Sequence, residues 1–206
     1  MNRPRILQPN QTYTFSKYFE LSFSLEDILA ELGCSYNRER LELPTVEVSE
    51  DAIAPLTKII DRNFRRVKLM SEDARKQAII APILLEVCEI TQTQLNIEYP
   101  INVNERLQGR LDYYISQGKE LLVIEAKQAD LSRGFTQLAV ELIALDQWTE
   151  SETPILYGAV TTGEDWRFGT YHRQSQQITE DLKLYRVPEE ITRLVSILAG
   201  ILDAST

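Results

Sequence analysis

The chain has 206 residues, 43% of them hydrophobic and 26% charged, the balance of a globular domain with a sizeable core. Its formal net charge of −9, from 31 acidic and 22 basic residues, weighs against indiscriminate attraction to nucleic acid but leaves room for a local basic face. No apolar run approaches the roughly 20 residues of a membrane span, and the start "MNRPRILQPNQTYTF" lacks a signal-like apolar stretch, so a cytoplasmic protein without a membrane partner is expected.

The first fifty residues read as a small unit of their own, an N-terminal extension of unassigned role. Within it "SLEDILAELG" forms a short helix, with Ser24 as N-cap, Asp27 at the capping-box position and Gly33 just past the end. "RERLELPTVEV" then reads as extended. Cys34 and Cys88 belong to no metal-binding or disulfide spacing and are expected to be buried thiols.

Residues 51–206 read as one α/β domain. A helix from Ser49 to about Leu69 is predicted by Ile53, Leu56, Ile60, Phe64 and Val67 at helical spacing. Near its end Arg62, Arg65 and Arg66 share a face. They are candidate nucleic-acid contacts, or an ordinary solvated helix face. Ser71 caps a second helix running to about Glu89, which Pro82 should bend or interrupt.

Beyond this the period changes. "LNIEYPINV", "GRLDYYIS" and "LLVIEAK" read as strands, "RGFTQLAVELIALDQW" as a helix, "ILYGAVTT" and "WRFGTYH" as strands about the turn "GED", and Pro188 to Leu202 as a closing helix. Trp166 and Phe168 alternate as core aromatics do, and the single histidine, His172, has no partner motif for nucleophilic chemistry.

In "LLVIEAK" successive apolar residues are interrupted by Glu125 and Lys127, which are expensive in a buried strand. If the hairpin turn is Gly118-Lys119, Asp112 falls opposite Glu125; if it is Gln117-Gly118, Asp112 is diagonal to it. Either register places Asp112, Glu125 and Lys127 on one face, because side chains alternate; a three-residue loop would not. Two carboxylates so close repel unless a cation intervenes. Mg²⁺ fits two such ligands while keeping waters, and Lys127 could orient or deprotonate a water or neutralise phosphate charge. Solvent-facing residues at strand ends are the simpler alternative.

"GRLDYY" followed by "VIEAK" resembles the D...ExK signature of the PD-(D/E)xK, or restriction-endonuclease-like, nucleases. "SEDARKQAIIAPIL" is similar to a helix in the N-terminal nuclease domains of type I restriction motor subunits. "GFTQLAVELIALDQ" and "GAVTTGEDWRF" continue the likeness, which spans roughly 71–195. Leu111 stands where many members carry proline.

The resemblance implies a central mixed sheet of four to five strands flanked by helices, with the N-terminal extension helical. It implies a Mg²⁺- or Mn²⁺-dependent nuclease acting on nucleic acid, with DNA favoured. Asp112 and Glu125 would be metal ligands and Lys127 would position the attacking water. Glu72 would complete the site or reach a second ion, or else favour a helix N-terminus. Gln137 would support the lysine or contact the nucleic-acid backbone. A homodimer, a subunit of a larger complex, or a non-catalytic module that binds nucleic acid or protein are further expectations.

Overall fold

The computed structural model describes residues 5–8, 10–117 and 120–203. The expected turn at Gly118-Lys119 and the side chains of residues 117 and 120–123 lie outside the described residues. One mixed sheet of eight strands forms the middle of the molecule: β1 (Ser35–Glu39), β2 (Leu95–Asn104), β3 (Leu107–Gln117), β4 (Glu120–Ala126), β5 (Ile155–Thr161), β6 (Asp165–His172), β7 (Gln177–Asp181) and β8 (Tyr185–Arg186). Their spatial order is β1-β7-β6-β5-β4-β3-β2, with β8 beside β6. β1 runs parallel to β7 and β4 parallel to β5, and the other pairs are antiparallel.

The sheet is larger than the four to five strands expected. β1 "SYNRE", β7 "QITED" and β8 "YR" are short and largely polar, so they carry little apolar alternation and take their strand form from neighbours. Only the first residues of the segment read as extended after Gly33 join the sheet.

Two apolar cores sandwich the sheet, giving three layers. On one side α3 (Glu50–Arg66), α5 (Ala81–Thr91) and α7 (Ile191–Leu202) pack Ile60, Ile83 and Leu198 against Trp166, Phe168 and Ile124. On the other, α1 (Phe15–Glu20), α2 (Leu25–Glu31) and α6 (Leu131–Trp148) pack Phe15, Ile28, Leu138 and Leu142 against Leu156 and Tyr171. Trp166 and Phe168 are thus core aromatics, and both cysteines are buried and free. Among the described residues no helix is long and apolar enough to cross a membrane.

The caps read from sequence explain where helices begin. Ser24 accepts from the Asp27 amide at 3.2 Å, Ser49 from Ala52 at 3.2 Å and Ser71 from Ala74 at 3.1 Å. The helix after Ser71 begins as α4 (Glu72–Arg75), widens into a π-helical segment over Lys76–Ile80 and continues as α5. Pro82 supplies the physical reason: it has no N–H to give the Ala78 carbonyl four residues back, and the turn opens so that the Ala81 amide bonds Lys76 instead. The Asn63 side chain of α3 donates to the vacated Ala78 carbonyl at 2.7 Å.

α6 is the crossover between the parallel strands β4 and β5, an arrangement that leaves the carboxyl end of β4 opening onto the loop before the helix. The extension's first helix is fastened beside this end. Phe15 packs on Gly109, where any Cβ would come within 2.7 Å of the ring, and the Tyr18 hydroxyl donates to the Arg106 carbonyl at 2.9 Å.

Candidate functional site

The β3–β4 ladder pairs Gln117 with Glu120 and Tyr113 with Ile124, which is the first of the two registers weighed above. Continued by one step it sets position 112 opposite 125. The paired residues stop at Tyr113, however, and the next amide on β4, that of Ala126, is taken by the Asp112 side chain at 2.9 Å through Oδ2. Asp112 therefore lies against the β4 backbone where the two strands part. Its other oxygen, Oδ1, accepts from Lys76 Nζ at 2.7 Å.

Glu125 and Lys127 do meet as alternation requires, in an ion pair at the end of β4. Glu125 is 1% exposed. Lys127 follows the last strand residue, its amide bonded to the Thr161 carbonyl at 2.7 Å. Its stem lies along α6 at Gly134, where a Cβ would come within 2.8 Å of Lys127 Cγ. The ammonium sits 5.2 Å from the centre of the Phe19 ring, so α1 contributes a cation–π contact from the extension.

Two residues unassigned from sequence complete the cluster. Glu141, on α6 and fully buried, accepts from Gln137 Nε2 at 2.8 Å, and among the described residues its Oε2, like Oε2 of Glu125, has no hydrogen-bond partner. Burial first, and then the charge of Glu125, raise Glu141 well above the ordinary carboxyl range. Burial first, and then the Asp112 charge, raise Glu125 itself to about 7.

Lys76 is the second addition. Its Nζ bridges Asp112 Oδ1 at 2.7 Å and Glu72 Oε1 at 2.9 Å. Burial alone would lower both lysines. For Lys76 the Asp112 and Glu72 pairings outweigh it, and for Lys127 the Glu125 pairing does, with Glu72 and Asp112 adding to it. Both are held above the ordinary lysine value. Lys127 is thus a fixed positive donor in this arrangement and not a proton acceptor.

A cleft of about 400 Å³ opens over this cluster. Glu72, Lys127 and Gln137 line it from three elements, while Ser16, Phe19 and Glu20 of α1 form the facing wall. Asp112 and Glu125 are not part of this lining; Glu125 is tied to it through Lys127, and Asp112 through Lys76 to Glu72. Among the described residues Gln137 Oε1 is buried without a partner. Arg62, Arg65 and Arg66 are exposed at the end of α3 and do not line the cleft.

Hard carboxylate oxygens are the donors that Mg²⁺ and Mn²⁺ prefer. Asp112 and Glu125 offer them, and the repulsion that raises Glu125 is what a cation would relieve. Lys76 pairs with Oε1 of Glu72 and Oδ1 of Asp112, and Oδ2 of Asp112 accepts from the Ala126 amide, so an ion on Asp112 would use lone pairs that these bonds leave over. Among the described residues no three His, Cys, Asp or Glu side chains are grouped to hold a metal, so an ion here would have two protein carboxylates and otherwise water or substrate oxygens. No protein-family model matches the chain, and no curated protein matches it significantly.

Sequence offered a signal for Glu141 in retrospect: it is the one ionisable residue in a helical run, 134–145, that is buried throughout. Lys76 had only an i,i+4 relation to Glu72, which reads as a surface pair.

Proposed function

We propose that this chain is a Mg²⁺- or Mn²⁺-dependent nuclease of the PD-(D/E)xK type that hydrolyses phosphodiester bonds, with DNA as the favoured substrate. The observation that carries the reading is the gathering of Asp112, Glu125 and Lys127 at the carboxyl end of β4, next to a cleft lined by Glu72, Lys127 and Gln137. The restriction-endonuclease-like core is part of the same proposal. It is supported by the order of α5, strands β2 to β4, α6 and β5, with the site residues on β3, β4 and α6.

Asp112 and Glu125 would hold the ion, which when bound polarises a phosphoryl oxygen and acidifies a water. Lys127, kept charged, donates to a phosphate oxygen and offsets the charge that gathers as water adds to phosphorus. Gln137, held by its Nε2 bond to Glu141, lines the cleft beside Lys127. Phe19 and α1 narrow the entrance and keep the ammonium in place.

A second reading is favoured by one observation: each ionised acid of the cluster is already engaged by a lysine. A nuclease fold so neutralised would bind nucleic acid or a protein without cutting. Incubation of single- and double-stranded DNA and RNA with the purified protein separates the two. Cleavage that needs Mg²⁺ or Mn²⁺ and is lost in Lys127→Ala supports the nuclease; binding without cleavage, unchanged by Asp112→Ala, supports the module.

A further inference from the structure

We infer that Lys76 is a built-in cation that fills the place between Glu72 and Asp112 where a second divalent ion would sit, leaving a site for one ion only. This rests on the nuclease reading and specifies how that site is charged. Four carboxyl groups, Glu72, Asp112, Glu125 and Glu141, converge on two ammonium groups, Lys76 and Lys127. Lys127 is committed to Glu125. Of the two lysines Lys76 is the one that pairs with Glu72 and Asp112, at 2.9 and 2.7 Å, the two acids that could otherwise share a second ion.

The backbone holds the ammonium there. Lys76 is the first residue of the π-helical segment, whose wide turn follows from Pro82, and its carbonyl accepts from the Ala81 amide. Asn63 closes the bond that the wide turn leaves open at Ala78, and Arg75 anchors the preceding turn through Glu164 at 2.7 Å and the Thr162 carbonyl at 3.1 Å. Lys76 thus leaves a fixed stretch of helix and bridges both acids. An ion entering between them would have to break two charge-assisted bonds at once.

Titration with Mn²⁺, followed by the loss of the free-ion electron paramagnetic resonance signal and by calorimetry, counts the ions directly. Wild type is expected to take up one equivalent, and Lys76→Met, folded by circular dichroism, two. Two equivalents in wild type, or one in both proteins, overturns the inference while leaving the nuclease reading intact. No uptake by wild type overturns the inference and removes the nuclease reading as well, whatever Lys76→Met binds. Should Lys76→Met not fold, Glu72→Gln decides. One equivalent, as in wild type, supports the inference, and a lower count overturns it.

Discussion

Glu125 on β4 and Glu180 on β7 are both buried acids in strands of the same sheet, and each faces a cation, yet their surroundings differ. Glu180 accepts from Arg167 Nη1 at 2.7 Å and from the Tyr36 hydroxyl, with Arg38 a further 3.8 Å away. Its partners come from β1 and β6, so the cluster ties the edge strand to the sheet. Glu125 instead pairs with one lysine and is crowded by the charges of Asp112 and the neighbouring Glu141, next to a cleft that Lys127 lines. A buried acid that only holds a fold is surrounded by donors. One crowded by other acids at the mouth of a cleft stores a charge imbalance that a ligand can relieve.

The contrast can be broken experimentally, and the largest effect is expected in catalysis. Lys127→Ala should reduce metal-dependent DNA hydrolysis by about 10²–10⁴-fold, the range for losing one positioned charge or proton donor. Retention of wild-type rates would place Lys127 with Glu180 as a structural charge. Next is stability: Glu180→Ala leaves Arg167 buried without its carboxylate and should cost roughly 3–5 kcal/mol in urea unfolding. Hydrolysis per folded molecule should be unchanged.

The third test is pH. Glu125 is raised from 4.5 to about 7 by burial and by Asp112, and Glu141 stands well above the ordinary range, so the folded chain binds these protons more tightly than the unfolded chain. Their contribution to stability is fully present below the unfolded carboxyl value and is lost as pH rises through about 7 and beyond. Glu141→Gln removes one of these raised carboxyl groups and should flatten that fall between about pH 5 and about pH 8. Urea unfolding across that range checks it, and an unaltered slope would show that Glu141 is not raised. The smallest effect is expected for Phe19→Leu, which loses a cation–π contact worth about 0.5–1 kcal/mol. Thermal unfolding should register a slight drop.

Much of this site could be read from sequence because the physics that builds it is local. Alternation along "LLVIEAK" put Glu125 and Lys127 together, and the β3–β4 ladder follows one of the two registers read from the hairpin. Serine caps marked three helix starts, and Pro82 marked the irregular one. What escaped depends on contacts far apart in the chain. β1 and β7 are polar strands made by pairing across more than a hundred residues. The Asp112 carboxylate accepts from the Ala126 amide, because the ladder ends beside it and that amide needs an acceptor. Glu141 and Lys76 gain their roles only where α6 and the π-helical segment close over the end of β4.

The most direct measurement is cleavage of labelled DNA in Mg²⁺ or Mn²⁺ by Glu125→Gln and Glu180→Gln side by side with wild type. Wild type and Glu180→Gln are expected to cut only when the metal is present, and Glu125→Gln not to cut at all. DNA left intact by the wild type with both metals, or equal cutting by the two variants, would contradict this expectation.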